Sequence, residues 1–199
     1  MKLFFPFFFL SLLLSCYSCS DAPEKTPSKA DAAALPHGES LPQAALSTED
    51  RQKLANAKGK EVDFISADEL AAAVQQEEDL LTIINFWKMD CPSCQDVNQI
   101  LADIVAQKSP DRVRLLFVSL DPAEQNTAVK TYIREHNFTQ QAFQLRQEAG
   151  SPTFGGLLPN WNATLPAIWM YKKSGAINLL YHKAYGPNEF GAILEPLML

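Results

Sequence analysis

Apolar positions fall into two regimes along this chain. Near the start they form a single run, Leu3 to Leu14, interrupted at Pro6. From Glu61 onward they recur in short blocks between segments of helical period. Val62 to Ile65 reads as a short strand. Ser66-Ala67-Asp68-Glu69 has capping-box spacing, in which the Ser hydroxyl and Glu carboxylate each accept the other's backbone N–H. A short helix is expected from there to about Gln76. Leu80 to Trp87 (LLTIINFW) is mostly apolar and partly β-branched, as suits a buried central strand. A helix is predicted to open near Cys91, because Cys94, Val97, Leu101, Ile104 and Val105 keep a helical period with polar residues between them. Val113 to Leu120 (VRLLFVSL) is a second buried strand. Asp121-Pro122-Ala123-Glu124 reads as a helix start with Pro at its first position, and Val129, Tyr132 and Ile133 supply that helix's apolar stripe. Residues 149–165 are rich in Gly, Pro and Asn and read as a long loop. Ala167 to Tyr171 and Ile177 to Tyr185 form a predicted hairpin around Lys172-Lys173-Ser174-Gly175. Pro187 to Leu197 reads as a closing helix with Phe190, Ile193, Leu194 and Leu197 on one face.

The order is β-α-β-α-β-α-loop-β-β-α, without internal repeats. Strands alternating with helices imply an α/β fold with a partly parallel sheet covered on both faces, and the last hairpin adds antiparallel strands. The chain's 199 residues suit one such domain plus appendages.

The appendages lie at the start. The twelve positions from Leu3 to Leu14 are too few to span a bilayer, which needs about 20, but they suit a secretory signal preceded by Lys2. Leu13-Leu14-Ser15-Cys16 resembles the bacterial lipobox, which implies cleavage after residue 15 and acylation of Cys16. The alternative is a plain signal cut near Ser18 or Ser20. Several acyl chains would anchor the protein stably where one would not. Residues 16–60 carry Pro23, Pro27, Pro36 and Pro42 with many Ala and Ser, and read as a flexible tether. Its reach is roughly 35 Å. Ser47 to Lys58 has the composition of a short helix within it. Residues 61–199 are the expected domain.

Charge narrows the partners. The net charge is −6; residues 1–60 carry seven basic and six acidic residues, and residues 61–199 ten and seventeen. An acidic domain has no general attraction for phosphate backbones, so nucleic acid is not an expected partner. Four cysteines are too few for a disulfide-stapled scaffold of this length. Nothing in the sequence points to oligomerisation, and a monomer is expected.

The informative segment is Asn85-Phe86-Trp87-Lys88-Met89-Asp90-Cys91-Pro92-Ser93-Cys94. Two cysteines at i and i+3, opening a helix after a buried strand, are arranged for disulfide exchange. At the helix N-terminus, free N–H groups and the dipole favour a thiolate, which makes Cys91 the attacking sulfur. Cys94 lies one turn further in, on the apolar stripe, and is the resolving sulfur that releases a mixed disulfide. Pro92 suits the first helical turn and stiffens the pair. The alternatives are a structural disulfide and a metal pair. For the latter, the chain has no second CxxC, and His37, His136 and His182 have no ligand spacing to the first. Trp87 is open to either a packing or a chemical role. Phe154 and Trp161 are candidates for the rim of a substrate groove, with burial of the loop as the alternative.

With Phe86-Trp87 leading into CPSC, and Thr164-Leu165-Pro166-Ala167 just before a later strand, the chain resembles the thioredoxin-fold proteins. It looks most like the TlpA/ResA-like branch of membrane-tethered thiol–disulfide oxidoreductases. The resemblance covers about residues 61–199 and implies a central mixed sheet flanked by helices, with a helical insertion after the second core strand. It also implies that Pro166 is cis and faces the cysteines, and that Leu165 offers its backbone to an extended substrate, with Trp87 in the same site. Such β-augmentation gives affinity that depends little on substrate sequence. The implied activity is reduction or exchange of disulfides in envelope proteins, in the periplasm or another extracytoplasmic space. The redox-active pair serves without a cofactor, and an unidentified membrane electron donor supplies the electrons. The alternative function is a thiol-dependent copper chaperone or assembly module, although copper-carrying relatives typically use a CxxxC pair.

The departures from the family carry their own expectations. Asn85 replaces the buried Asp of thioredoxin proper and cannot act as a base. Val97 stands where the tethered branch often has Glu. Asp90 replaces the usual aromatic before the first Cys, and its carboxylate should disfavour the Cys91 thiolate, partly offset by Lys88. A potential at the reducing end of the range from about −270 to about −120 mV is therefore expected.

Overall fold

The computed structural model describes residues 33–34, 61–76, 79–146, 158, 161–174 and 177–198. The signal expected at 1–15, the lipidation expected at Cys16, Phe154 and the helix expected at 47–58 lie outside them. The strands are β1 (Ala33–Ala34), β2 (Val62–Ile65), β3 (Leu81–Trp87), β4 (Val113–Ser119), β5 (Gln141–Leu145), β6 (Ala167–Lys172) and β7 (Ile177–Tyr181). The helices are α1 (Ala67–Gln75), α2 (Pro92–Ala106), α3 (Asn126–Glu135) and α4 (Pro187–Leu194). The strands form one mixed sheet in the order β1-β7-β6-β3-β4-β5-β2.

Every residue of β3 is buried, which fits its central place. It runs parallel to β4, from Leu81↔Val113 to Trp87↔Ser119, and antiparallel to β6, from Thr82↔Tyr171 to Phe86↔Ala167. The chain steps from β3 to β4 to β5 in one direction across the sheet, and from β2 to β3 in the reverse direction. Right-handed crossovers therefore put α2 and α3 on one face and α1 on the other. The packing follows: Cys94, Val97 and Leu101 of α2 and Val129, Tyr132 and Ile133 of α3 join Leu81, Ile83 and Trp87. Leu70, Ala71 and Val74 of α1 join Ile84 and Phe86 on the other face. The α1 capping box forms as predicted, with Glu69 N–H donating to Ser66 Oγ at 3.1 Å and Ser66 N–H donating to Glu69 Oε2 at 2.6 Å.

Four elements differ from the sequence reading. Strand β5 was not expected; it pairs in parallel with both β4 and β2 and makes α3 a crossover between strands. Pro122 has extended dihedrals (φ −62°, ψ 155°), only a 3₁₀ turn follows it at Ala123–Gln125, and α3 begins at Asn126. β7 stops at Tyr181 because its partner Ile168 lies next to the end of β6, beyond which Pro166 has no N–H to give a ladder. The closing helix ends at Leu194 and continues as a 3₁₀ turn, Glu195–Leu197, because Pro196 cannot donate to a carbonyl four residues back. In addition, Ala33–Ala34 pairs antiparallel with Leu179–Leu180 on the outer edge of β7.

Candidate active site

The site lies where β3 runs out. Leu120 N–H holds the Trp87 carbonyl at 2.8 Å, and a turn from Lys88 to Cys91 is closed by Cys91 N–H donating to the Lys88 carbonyl at 3.3 Å. Cys91 is the N-cap of α2, and Pro92 follows in the first turn, where its missing N–H costs no helical bond. Cys94 N–H donates to Cys91 Sγ at 3.2 Å. The two cysteines are joined in a disulfide, with Cα atoms 5.2 Å apart. Cys94 is wholly buried, whereas Cys91 is half-buried with Ser93 Oγ 3.6 Å from its sulfur. Only the first sulfur of the pair is open to a partner. The amide that faces it belongs to the helix start, where partial positive charge favours a thiolate.

Beneath the pair lies a buried polar chain. Asn85 Nδ2 donates to Asn98 Oδ1 at 2.5 Å, and Asn98 Nδ2 donates to Tyr132 Oη at 3.3 Å. Asn98 follows Cys94 by one helical turn on the same face. Burial pushes the Tyr132 phenol pKa up, opposed by the Asn98 hydrogen bond and assisted by the charge of Asp96. Asn98→Ala would strand Asn85 Nδ2 and open a small cavity. The expected loss is about 2–4 kcal/mol, read as a lower urea midpoint with an unchanged slope.

The Leu165–Pro166 peptide is cis. The pairing of Phe86 with Ala167 brings Pro166 level with Trp87, at the sheet end that carries the cysteines. Leu165 is half-exposed and touches both apolar clusters. Trp87 corrects the sequence reading: it is wholly buried, its ring centroid 4.7 Å from that of Tyr132, and it offers no surface to a substrate. Its size and apolarity place it in the core between the sheet and α3. Trp161 also packs inward, 4.6 Å from Phe86, and its indole N–H donates to the Thr164 carbonyl at 3.2 Å. It holds the segment before Pro166 instead of rimming a groove. Val97 is buried, and His136 caps the exposed end of α3.

Two residues that the sequence reading passed over bear on the site. The Asp121 carboxylate, 2% exposed, accepts the Met89 N–H through both oxygens at 3.1 Å and the Ser119 hydroxyl at 2.7 Å. Gln95 Nε2 donates to the Met89 carbonyl at 3.0 Å. The Asp-Pro dipeptide reads as a helix start, and Gln95 is one of the polar positions between the apolar residues of α2. No local sequence signal points either of them at Met89.

Asp90 is exposed and Lys88 half-buried. Asp90→Asn removes a carboxylate next to Cys91 in sequence. The thiolate fraction of reduced Cys91 at neutral pH is then expected to rise about threefold, a small factor because the carboxylate is solvated. Iodoacetamide alkylation rates across pH would measure it. Among the described residues, no group of three or more His, Cys, Asp or Glu is placed to hold a metal ion. No helix among them is long and apolar enough to cross a membrane.

No family model matches the chain, and no curated protein matches it in sequence. Solved structures do match. A thiol:disulfide interchange protein of the thioredoxin family from Chlorobium tepidum TLS superposes with a TM-score of 0.51 at 14% identity, over 65% of this chain and 85% of that one. This chain has a thioredoxin-like fold. A thiol-disulfide isomerase from Corynebacterium glutamicum matches over more of the thioredoxin-like chain, 85% of it and 97% of the isomerase, with a TM-score of 0.50 and 15% identity. A thioredoxin-related protein from Neisseria meningitidis serogroup B matches at 0.50 and 12% identity, over 60% and 87% of the two chains.

Proposed function

We propose that this thioredoxin-like chain is an extracytoplasmic thiol–disulfide oxidoreductase that reduces or exchanges disulfides in envelope proteins. The observation that carries the reading is the asymmetric Cys91–Cys94 disulfide at the N-terminus of α2, one sulfur half-open and the other buried. In the reduced protein, the Cys91 thiolate attacks one sulfur of a substrate disulfide. A Cys91–substrate bond forms, the substrate's own S–S bond breaks, and the displaced thiolate takes a proton. The Cys94 thiolate then attacks Cys91 Sγ and releases the second substrate thiol. The substrate gains two electrons and two protons, and the protein is left as the Cys91–Cys94 disulfide. Leu165, beside Pro166, offers its backbone to the substrate segment. A dithiol donor in the membrane regenerates the pair, and acylated Cys16 with the tether keeps the domain within reach of it.

The test is reduction of insulin disulfides by the purified protein with dithiothreitol as electron source. Turnover well above dithiothreitol alone is expected. A protein that gives no acceleration but binds one Cu(I) tightly through Cys91 and Cys94 would instead be a copper-handling module.

A further inference from the structure

We propose that Asp121, with Gln95, acts as a positioning residue for the redox pair by holding the Met89 backbone at both its N–H and its carbonyl. The proposal deepens the redox reading and rests on it. The turn that presents Cys91 has four backbone groups held from specified places. Trp87 C=O is held by Leu120 N–H, Met89 N–H by the Asp121 carboxylate, Met89 C=O by Gln95 Nε2, and Cys91 N–H by Lys88 C=O. Two of these holders are side chains, one just past the end of β4 and one in α2. Together they tie the turn to the strand beside it and to the helix that carries Cys94.

Asp121 is itself fixed. Ser119 Oγ donates to its carboxylate and accepts its backbone N–H at 3.0 Å. Its carbonyl and that of Pro122 accept from Gln144 Nε2 at 2.9 and 2.7 Å, and Asn126 Nδ2 donates to Gln144 Oε1 at 2.7 Å. A buried carboxylate is costly unless donors surround it. Here its donors are the hydroxyl of the last residue of β4 and one amide of the redox turn. The helix-cap role that Asp-Pro suggests in the sequence is not used, since the 3₁₀ turn has no side-chain cap. The side chain is spent on Met89, two residues before Cys91.

The equilibrium constant of a dithiol against glutathione reports the effective concentration of one sulfur at the other, so releasing the turn should lower it. The experiment measures this constant for the wild type, Asp121→Ala, Asp121→Asn, Gln95→Ala and, as a stability control, Val74→Ala in α1. Asp121→Ala is expected to lower the constant about fivefold, while Asp121→Asn, which keeps an acceptor for Met89 N–H, stays within about twofold of wild type. Gln95→Ala lowers it about twofold. Val74→Ala lowers the melting temperature and leaves the constant unchanged.

A folded Asp121→Ala with the wild-type constant overturns the proposal. So does Asp121→Asn falling as far as the alanine variant, because charge and not the hydrogen bond would then be the cause. An equal shift in Val74→Ala overturns it as well, by making global stability the cause. If Asp121→Ala does not fold, Gln95→Ala decides, and an unchanged constant there refutes the clamp. Equilibration with glutathione requires only a dithiol, so a wild type that fails to reduce insulin sinks the enzymatic reading while the clamp is still measured.

Discussion

Cys91→Ser is expected to abolish disulfide reduction, with kcat/KM falling about a thousandfold or more. The reason is geometric as well as chemical. Cys94 is wholly buried under the helix start, so the remaining thiol has no path to a substrate disulfide. A serine hydroxyl at the same N-cap accepts the Cys94 N–H as a cap should, so the fold is expected to hold. Insulin reduction, with circular dichroism to check folding, measures both. Residual activity within tenfold of wild type would place the attacking sulfur elsewhere.

Cys94→Ala should behave differently from Cys91→Ser. The first step still runs, because Cys91 keeps its exposure and its helix-terminal amides, but the sulfur that breaks the mixed disulfide is gone. A disulfide-bonded peptide incubated with this variant is expected to stay attached to Cys91, in a ratio approaching one to one. The linkage should be reversible with excess dithiothreitol and absent when both cysteines are replaced. Mass spectrometry of the unreduced protein reads the result. No adduct under conditions where the wild type turns over would contradict the division of labour between the two sulfurs.

The parts of the site that the sequence disclosed are those with local signals. Cys91, Pro92 and Cys94 share one helix start, and their spacing is itself the geometry. Ser66 and Glu69 form a cap within four residues. β3 and β4 are apolar along most of their length, as burial on both faces demands. What the sequence hid depends on contacts between distant segments. β5 is QAFQL, and two glutamines in five residues argue against a buried strand. Gln144 is nonetheless wholly buried, because Asp121, Pro122 and Asn126 satisfy its amide. Asp121 reaches Met89 across 32 positions, and no cap or periodicity rule encodes that. Trp87 sits next to the redox turn in sequence, yet its ring goes to the core beside Tyr132 because the strand alternates faces at that position.

A redox titration of the Cys91–Cys94 pair, poised with dithiothreitol and glutathione and followed by thiol alkylation, tests the central claim most directly. The account predicts one reversible two-electron transition nearer to about −270 mV than to about −120 mV, with the Asp90 carboxylate a small contribution toward the reducing side. A midpoint near about −120 mV, one below about −300 mV, where structural disulfides lie, or no reversible transition at all, would contradict it.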